Sequence, residues 1–238
     1  MELSMGLEKK MLIRLGWIIY PTIEMHIMDG ILSPLWIVAW YAVAAPFIAV
    51  GLVKIAKKRK EDPTYMPMLA LMGATIFILS VWHIPVAVTG SCSHPCGVPL
   101  SAILVGPFES TVLSLIALFF HVFLAHGGLT TLGANTVSMG VVGGFLGYAV
   151  YLALRKLRAP LWVSAGFAGF FGDLATYATT ALQLALALRP ENVMLYWGIF
   201  SMAFMPTQAP LAVIEFALSA AVVRFIALNR PELLGGLR

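Results

Sequence analysis

A chain of 238 residues that is 60% hydrophobic and only 11% charged has too little polar surface to dissolve, since soluble domains carry about 25% charged residues. Its mean hydropathy of +0.91 makes lipid its solvent, and its length suits one membrane domain of several helices. The formal charge of +4 gives no case for nucleic acid, and two cysteines make no disulfide framework.

The chain begins with an odd stretch, residues 1–24. "MLIRLGWIIYP" is weakly apolar, interrupted by Arg14 and too short to span. Lys9, Lys10 and Arg14 could supply the basic region of a signal peptide, but "PTIEM" is not a small-x-small cleavage site. Three alternatives stay open: translation from Met25, cleavage, or a retained leader. Residues 25–238 are expected to form one membrane domain with an N-terminal metal-binding segment.

A spanning helix needs about 20 mostly apolar residues. Such runs fall at roughly 33–54, 66–88, 102–125, 136–154, 160–188 and 195–228. The last is long and carries Pro206 and Pro210, so it is expected to be two helices or one kinked helix. Nothing alternates with period two, as a membrane barrel would require. The fold class is therefore all-α, a polytopic membrane bundle of six or seven helices. "KIAKKRKEDP" (54–63) is a basic connector and reads as cytoplasmic, which puts Met25 on the outer side. "RKLRAP" (155–160) is also basic. Three simple crossings between them would place the two on opposite faces, so one breaks the charge rule or one segment is re-entrant. Arg224, Arg230 and Arg238 look cytoplasmic if there are seven spans.

"MHIMDG" (25–30) precedes the first span. If Met25 is the terminus, its amine, the amide nitrogen of His26 and the His26 Nδ1 can close around one metal in adjoining five- and six-membered rings. A fourth nitrogen would complete a square-planar set, which suits Ni(II) or Cu(II) and which Co(II) can accept. The plainer alternative is that His26 is an interfacial residue ahead of a helix. "TGSCSHPCGVPLSAILVGPF" (89–108) is dense in Gly, Ser and Pro, a composition that survives at membrane depth only inside protein or beside a cavity. His94 at its centre is the natural fourth ligand. Cys92, His94 and Cys96 could instead form a soft thiolate site, although zinc sites want four ligands; as small buried residues, the thiols also suit packing.

Other polar residues in or beside the spans are His83, Glu109, His121, His126, Asn135, Asp173, Gln208 and Glu215. Buried ionisable groups in lipid face the bundle interior, and the plain role for each is helix-to-helix hydrogen bonding. Asn135, in "AHGGLTTLGAN" (125–135), could orient a ligand histidine. Asp173, Thr176 and Thr180 share one helical face. Supporting roles around the metal are expected for Asp29, Ser93, His126, Asn135 and Asp173. No phosphate loop of the Walker type appears, and no nucleophile with a base partner is evident, so the chain is not expected to be an enzyme.

Four motifs in order, "MHIMDGILSP", "GSCSHPCG", "AHGGLTTLGANTVSMG" and "GDLATYATTALQLALA", resemble the CbiM/NikM family, the substrate-capturing membrane subunits of energy-coupling factor (ECF) transporters for cobalt or nickel. The resemblance covers Met25 to about Asn229. It implies Met25, His26 and His94 as metal ligands, and Co(II) or Ni(II) as transported ligand with no resident cofactor. It implies a coupling subunit in the membrane, two ATPase subunits and a small auxiliary membrane subunit as partners. It places the chain in the plasma membrane with its metal site facing outward. "MHIMDG" with "GSCSHP" looks more like the cobalt branch, which supplies cobalamin synthesis. The family motif starts at a mature terminus, whereas 24 residues precede it here, and Cys96 places a thiol, a further soft ligand, where a non-thiol residue is expected in the His-Pro-x-Gly stretch. A carrier that relays protons through Asp173, Glu215 and the histidines is the alternative of another class; clustered His26 and His94 favour capture.

Overall fold

In lipid no water receives a backbone amide, so long apolar runs must close into helices. The computed structural model describes residues 27, 29–82, 84–86, 91–124 and 127–234. Within them lie seven helices: α1 (Pro34–Glu61), α2 (Tyr65–Val81), α3 (Val98–Leu104), α4 (Pro107–Val122), α5 (Leu132–Lys156), α6 (Leu161–Leu188) and α7 (Val193–Asn229). A small antiparallel hairpin, β1 (Ile84–Val86) and β2 (Ser91–Ser93), joins α2 to α3. Helices α1, α3 and α4 each carry a proline in the first turn, where the missing N–H has no intrahelical partner to lose. Lys58, Arg59 and Lys60 end α1 and complement the negative end of its dipole.

Contacts along the helices fix the path of the chain. Lys58 Nζ lies 2.7 Å from Glu109 Oε1 and donates to the Val105 carbonyl at 2.8 Å, so the α3–α4 junction sits at the basic end of α1. At the opposite end His121 Nε2 meets the Phe77 carbonyl at 3.2 Å. Helix α4 therefore runs away from the basic end, and the hairpin with the seven-residue α3 has made the return pass. Phe145 packs edge-on against Phe108, centroids 4.8 Å apart, which brings the Lys156 end of α5 back to the basic end. Gln183 reaches the Ala134 carbonyl at 2.9 Å, and Trp197 the Ala178 carbonyl at 2.9 Å, so α6 and α7 continue the alternation. The two basic connectors thus share one end of the bundle. Of the two alternatives left by the sequence, it is the irregular pass made by β2, the loop after it and α3 that reconciles them.

The run expected at 102–125 is broken at Val105–Gly106 into α3 and α4. Of the two shapes expected for the run carrying Pro206 and Pro210, two helices or one kinked helix, the structure has a single helix of 37 residues with both prolines inside it, which a bundle tolerates where neighbouring groups cover the freed carbonyls. Helices α1, α5 and the segment Pro190–Asn229 are long and apolar enough to cross a membrane; α2 and α4 are shorter apolar helices. The surface is studded with large apolar side chains such as Leu35, Trp82, Phe123, Met202 and Phe225, whereas Glu109, Ser110, Asp173, Gln183, Gln208 and Glu215 are buried. That distribution is the reverse of a water-soluble domain and fits a membrane bundle with polar seams between helices.

Candidate metal centre

From Ser93, the last residue of β2, the chain passes through His94, Pro95, Cys96 and Gly97 before α3 begins. This loop is buried throughout, with His94 only 2% exposed. Its backbone therefore needs partners from the helices around it, and α6 and α7 supply them. The His94 N–H donates to the Tyr177 hydroxyl of α6 at 2.8 Å, and that hydroxyl lies 3.3 Å from the His94 carbonyl, to which it donates. Ser93 and Thr207 hydroxyls meet at 2.7 Å. The Cys96 and Gly97 N–H groups both donate to Glu215 Oε1, the latter at 2.6 Å. Thr207 and Glu215 are about two turns apart on α7, about 12 Å, so one helix holds both ends of the loop.

The imidazole is oriented as well. His94 Nδ1 lies 2.9 Å from the Pro95 carbonyl. A carbonyl only accepts, so Nδ1 carries the proton, and in the neutral ring Nε2 keeps the lone pair. A metal-binding histidine commonly has its second nitrogen bonded in this way. The Tyr177 ring stands edge-on to the imidazole with centroids 5.8 Å apart.

The N-terminal segment closes the site from the other side. Ile27 is fully buried. Its N–H donates to Asn135 Oδ1 at 3.3 Å, and its carbonyl accepts from Asn135 Nδ2 at 3.3 Å and from Thr131 Oγ1 at 2.5 Å. Asp29 accepts the N–H groups of Leu129 and Thr130 at 3.2 and 2.8 Å, and also the Thr130 hydroxyl. Asn135 and Asp29, both expected in supporting roles, therefore tie the segment that begins at Ile27 to the 128–135 stretch. Met25, His26 and His126 lie outside the described residues.

Between these supports lies a cavity of about 10 Å³, lined by Ile27, Ser91, Cys92, His94, Asn135, Ser138, Met139, Thr176, Tyr177 and Thr180. That is about one water-sized sphere, room for a single ion without its hydration shell. Ser138 and Met139 come from a π-helical stretch of α5, Thr136–Gly143, a wide turn of the kind often found at functional sites. Among the described residues no three of His, Cys, Asp and Glu come together to hold a metal. The thiolate alternative of Cys92, His94 and Cys96 is thus not assembled; both thiols are free and buried, and Cys92 lines the cavity while Cys96 does not. A metal site at His94 would draw its other ligands from outside that set.

Thr176 and Thr180 face the cavity as their spacing suggests. Asp173 lies one turn deeper, accepts from Gln208 Nε2 and does not reach the cavity. Ser93 faces Thr207 rather than the ion space. Tyr177 was not singled out from the sequence, though it sits at i+4 from Asp173 and borders the same face as Thr176 and Thr180. The role of Glu215 had no local signal, because its partners lie more than 100 residues away.

The family model for the cobalt uptake substrate-specific transmembrane region, CbiM, matches residues 26–233. The cobalt transport protein CbiM of Geobacter sulfurreducens is 46% identical over 217 residues, covering 90% of this chain and 62% of that protein. The chain thus spans less than two thirds of that relative's length. The cobalt transport protein CbiM of Sorangium cellulosum is 42% identical, covering 90% of this chain and 96% of that one. A solved structure of a truncated transition metal transporter superposes with a TM-score of 0.77 at 26% identity, over 86% of this chain and 99% of that chain. On a match that runs through every helix described above, the chain belongs to the CbiM family.

Proposed function

We propose that this chain is the substrate-capturing membrane subunit of an ECF-type importer for Co(II), feeding cobalamin synthesis. One observation carries the reading: His94, whose Nδ1 is turned to the Pro95 carbonyl, lines a cavity sized for one ion, whose wall also includes Ile27, the residue next to His26. The ligands in this account are the Met25 amine, the His26 amide nitrogen and imidazole, and His94 Nε2. With residues 1–24 removed or never translated, Met25 supplies that amine. Asn135 and Thr131 hold the backbone of Ile27, which lines the cavity. Four nitrogens in a plane accept Co(II), and Ni(II) at least as well, so choice between them rests with supply and partner subunits. The names of the relatives support cobalt.

The basic end of the bundle faces the cytoplasm by the charge rule. The N-terminal segment then enters from outside the cell, and the ion arrives from that side. The chain carries no nucleotide-binding motif, so accumulation depends on a coupling subunit and two ATPase subunits, with a small auxiliary membrane subunit completing the complex. His94→Ala, made in protein beginning at Met25, tests the reading. Co(II) affinity should fall by far more than tenfold with the fold retained. Binding within about tenfold of the parent, about 1.4 kcal/mol, would remove His94 from the ligand set and the reading with it.

A further inference from the structure

We infer that Glu215 is a positioning residue for metal capture: gripping one peptide plane from α7, it aims the His94 imidazole at the cavity. This rests on His94 being a ligand. The geometry runs through the Pro95–Cys96 peptide. That unit is planar and, with no cis bond among the described residues, trans. Its N–H belongs to Cys96 and donates to Glu215 Oε1. Its C=O points the opposite way and accepts from His94 Nδ1 at 2.9 Å. Whatever fixes the tilt of the N–H therefore fixes the carbonyl that orients the imidazole.

The next N–H, on Gly97, converges on the same oxygen at 2.6 Å. Two successive N–H groups aimed at one acceptor form an anion-holding concavity. Gly97 has φ +67, a left-handed conformation, and a Cβ there would stand 2.8 Å from Leu79 Cδ1, so no other residue makes this turn without strain.

The grip has a fixed base. Glu215 is completely buried. Its backbone lies so close to α6 that a Cβ on Gly169 would stand 2.7 Å from the Glu215 carbonyl oxygen. The same helix α6 carries Tyr177, which holds His94 from its other flank. Two helices in close contact thus hold both sides of the ligand. Among the described residues Oε2 of Glu215 finds no hydrogen-bond partner, so the two loop amides are the hydrogen bonds described for this carboxylate.

The competing explanation is that Glu215 acts only as a negative charge near a cation. Two substitutions separate the two. Glu215→Gln keeps an oxygen acceptor in place and loses the charge. Glu215→Asp keeps the charge and withdraws the acceptor by one methylene, about 1.5 Å. Both are made in protein beginning at Met25, alongside His94→Ala, and probed with Co(II) affinity and the d–d absorption band of bound Ni(II). Positioning predicts that Glu215→Gln stays within about threefold of the parent with an unchanged band. It predicts that Glu215→Asp loses tenfold or more and shifts the band toward that of His94→Ala. Parent-like behaviour of Glu215→Asp overturns the inference, as does a tenfold loss in Glu215→Gln. If Glu215→Asp does not fold, Glu215→Gln decides alone: retained affinity and band support positioning, and their loss overturns it. Parent-like binding by His94→Ala would sink the capture reading itself, a result separable from either Glu215 outcome.

Discussion

Tyr177→Phe removes one oxygen and leaves the ring, so it isolates the hydroxyl that brackets His94. The ring contacts with His94 and with Phe204, centroids 5.8 and 5.2 Å away, survive the change. Two hydrogen bonds do not: His94 N–H to the hydroxyl at 2.8 Å, and the hydroxyl to the His94 carbonyl at 3.3 Å. His94 is 2% exposed, so water does not replace the lost acceptor. An unsatisfied buried N–H costs about 1–3 kcal/mol. Taking about 2 kcal/mol, the ceiling on the loss of metal affinity is about 30-fold, at 1.4 kcal/mol per tenfold. That ceiling is reached only if the unbound loop relaxes to satisfy the amide and binding must pull it back. If the loop stays put, the cost appears instead in the thermal melt of the metal-free protein. Chelator-competition titration of Co(II) and a melt of the same preparation together capture both shares. A variant with affinity within about twofold of the parent and an unshifted melt would refute the claim that Tyr177 anchors the ligand loop.

The remaining expectations concern the two ends of the bundle. Asn135→Leu leaves the Ile27 N–H without its acceptor and should weaken Co(II) binding by about tenfold, one buried hydrogen bond's worth; titration checks it, and unchanged affinity would mean Ile27 is held by other contacts. Lys58→Met leaves the Glu109 carboxylate, 1% exposed, without its cation. Breaking a buried pair costs about 3–5 kcal/mol; Lys58 is itself 43% exposed, so the low end, about 3 kcal/mol, is expected in the melt, and metal affinity should be unchanged. Lys58→Met paired with Glu109→Gln should recover most of that loss.

The pieces visible in the sequence are those with local signatures. Apolar runs long enough to span announced most of the helices, and the density of Gly, Ser and Pro in 89–108 announced a buried irregular segment. His94 stood out there because it lies among residues that cannot form a regular span. The hairpin and α3 were invisible as a membrane pass, because three-residue strands and a seven-residue helix fall far below the length of about 20 that marks a span. That omission produced the apparent conflict between the two basic connectors. Pro206 and Pro210 left two helices or one kinked helix open, and the chain forms a single helix there. Tyr177 was hidden by its apolar ring, since only its hydroxyl does polar work. Glu215 and Gln208 read as isolated polar residues because their partners, Cys96, Gly97 and Asp173, are distant in sequence.

The central claim is that the Met25 amine is a ligand, and it is open to one direct comparison. A neutral amide nitrogen must lose a proton before it binds a metal, whereas a free amine offers its lone pair once deprotonated, and metal affinity follows ligand deprotonation. Four preparations are titrated with Co(II) under one condition: protein beginning at Met25, the same protein with its amine acetylated, the same protein with one alanine added before Met25, and the 238-residue chain with residues 1–24 verified intact. The first should bind tightly, and each of the others should be weaker by about 100-fold or more, about 2.8 kcal/mol. Equal affinity in the intact 238-residue chain would contradict the account, because no free amine then adjoins His26.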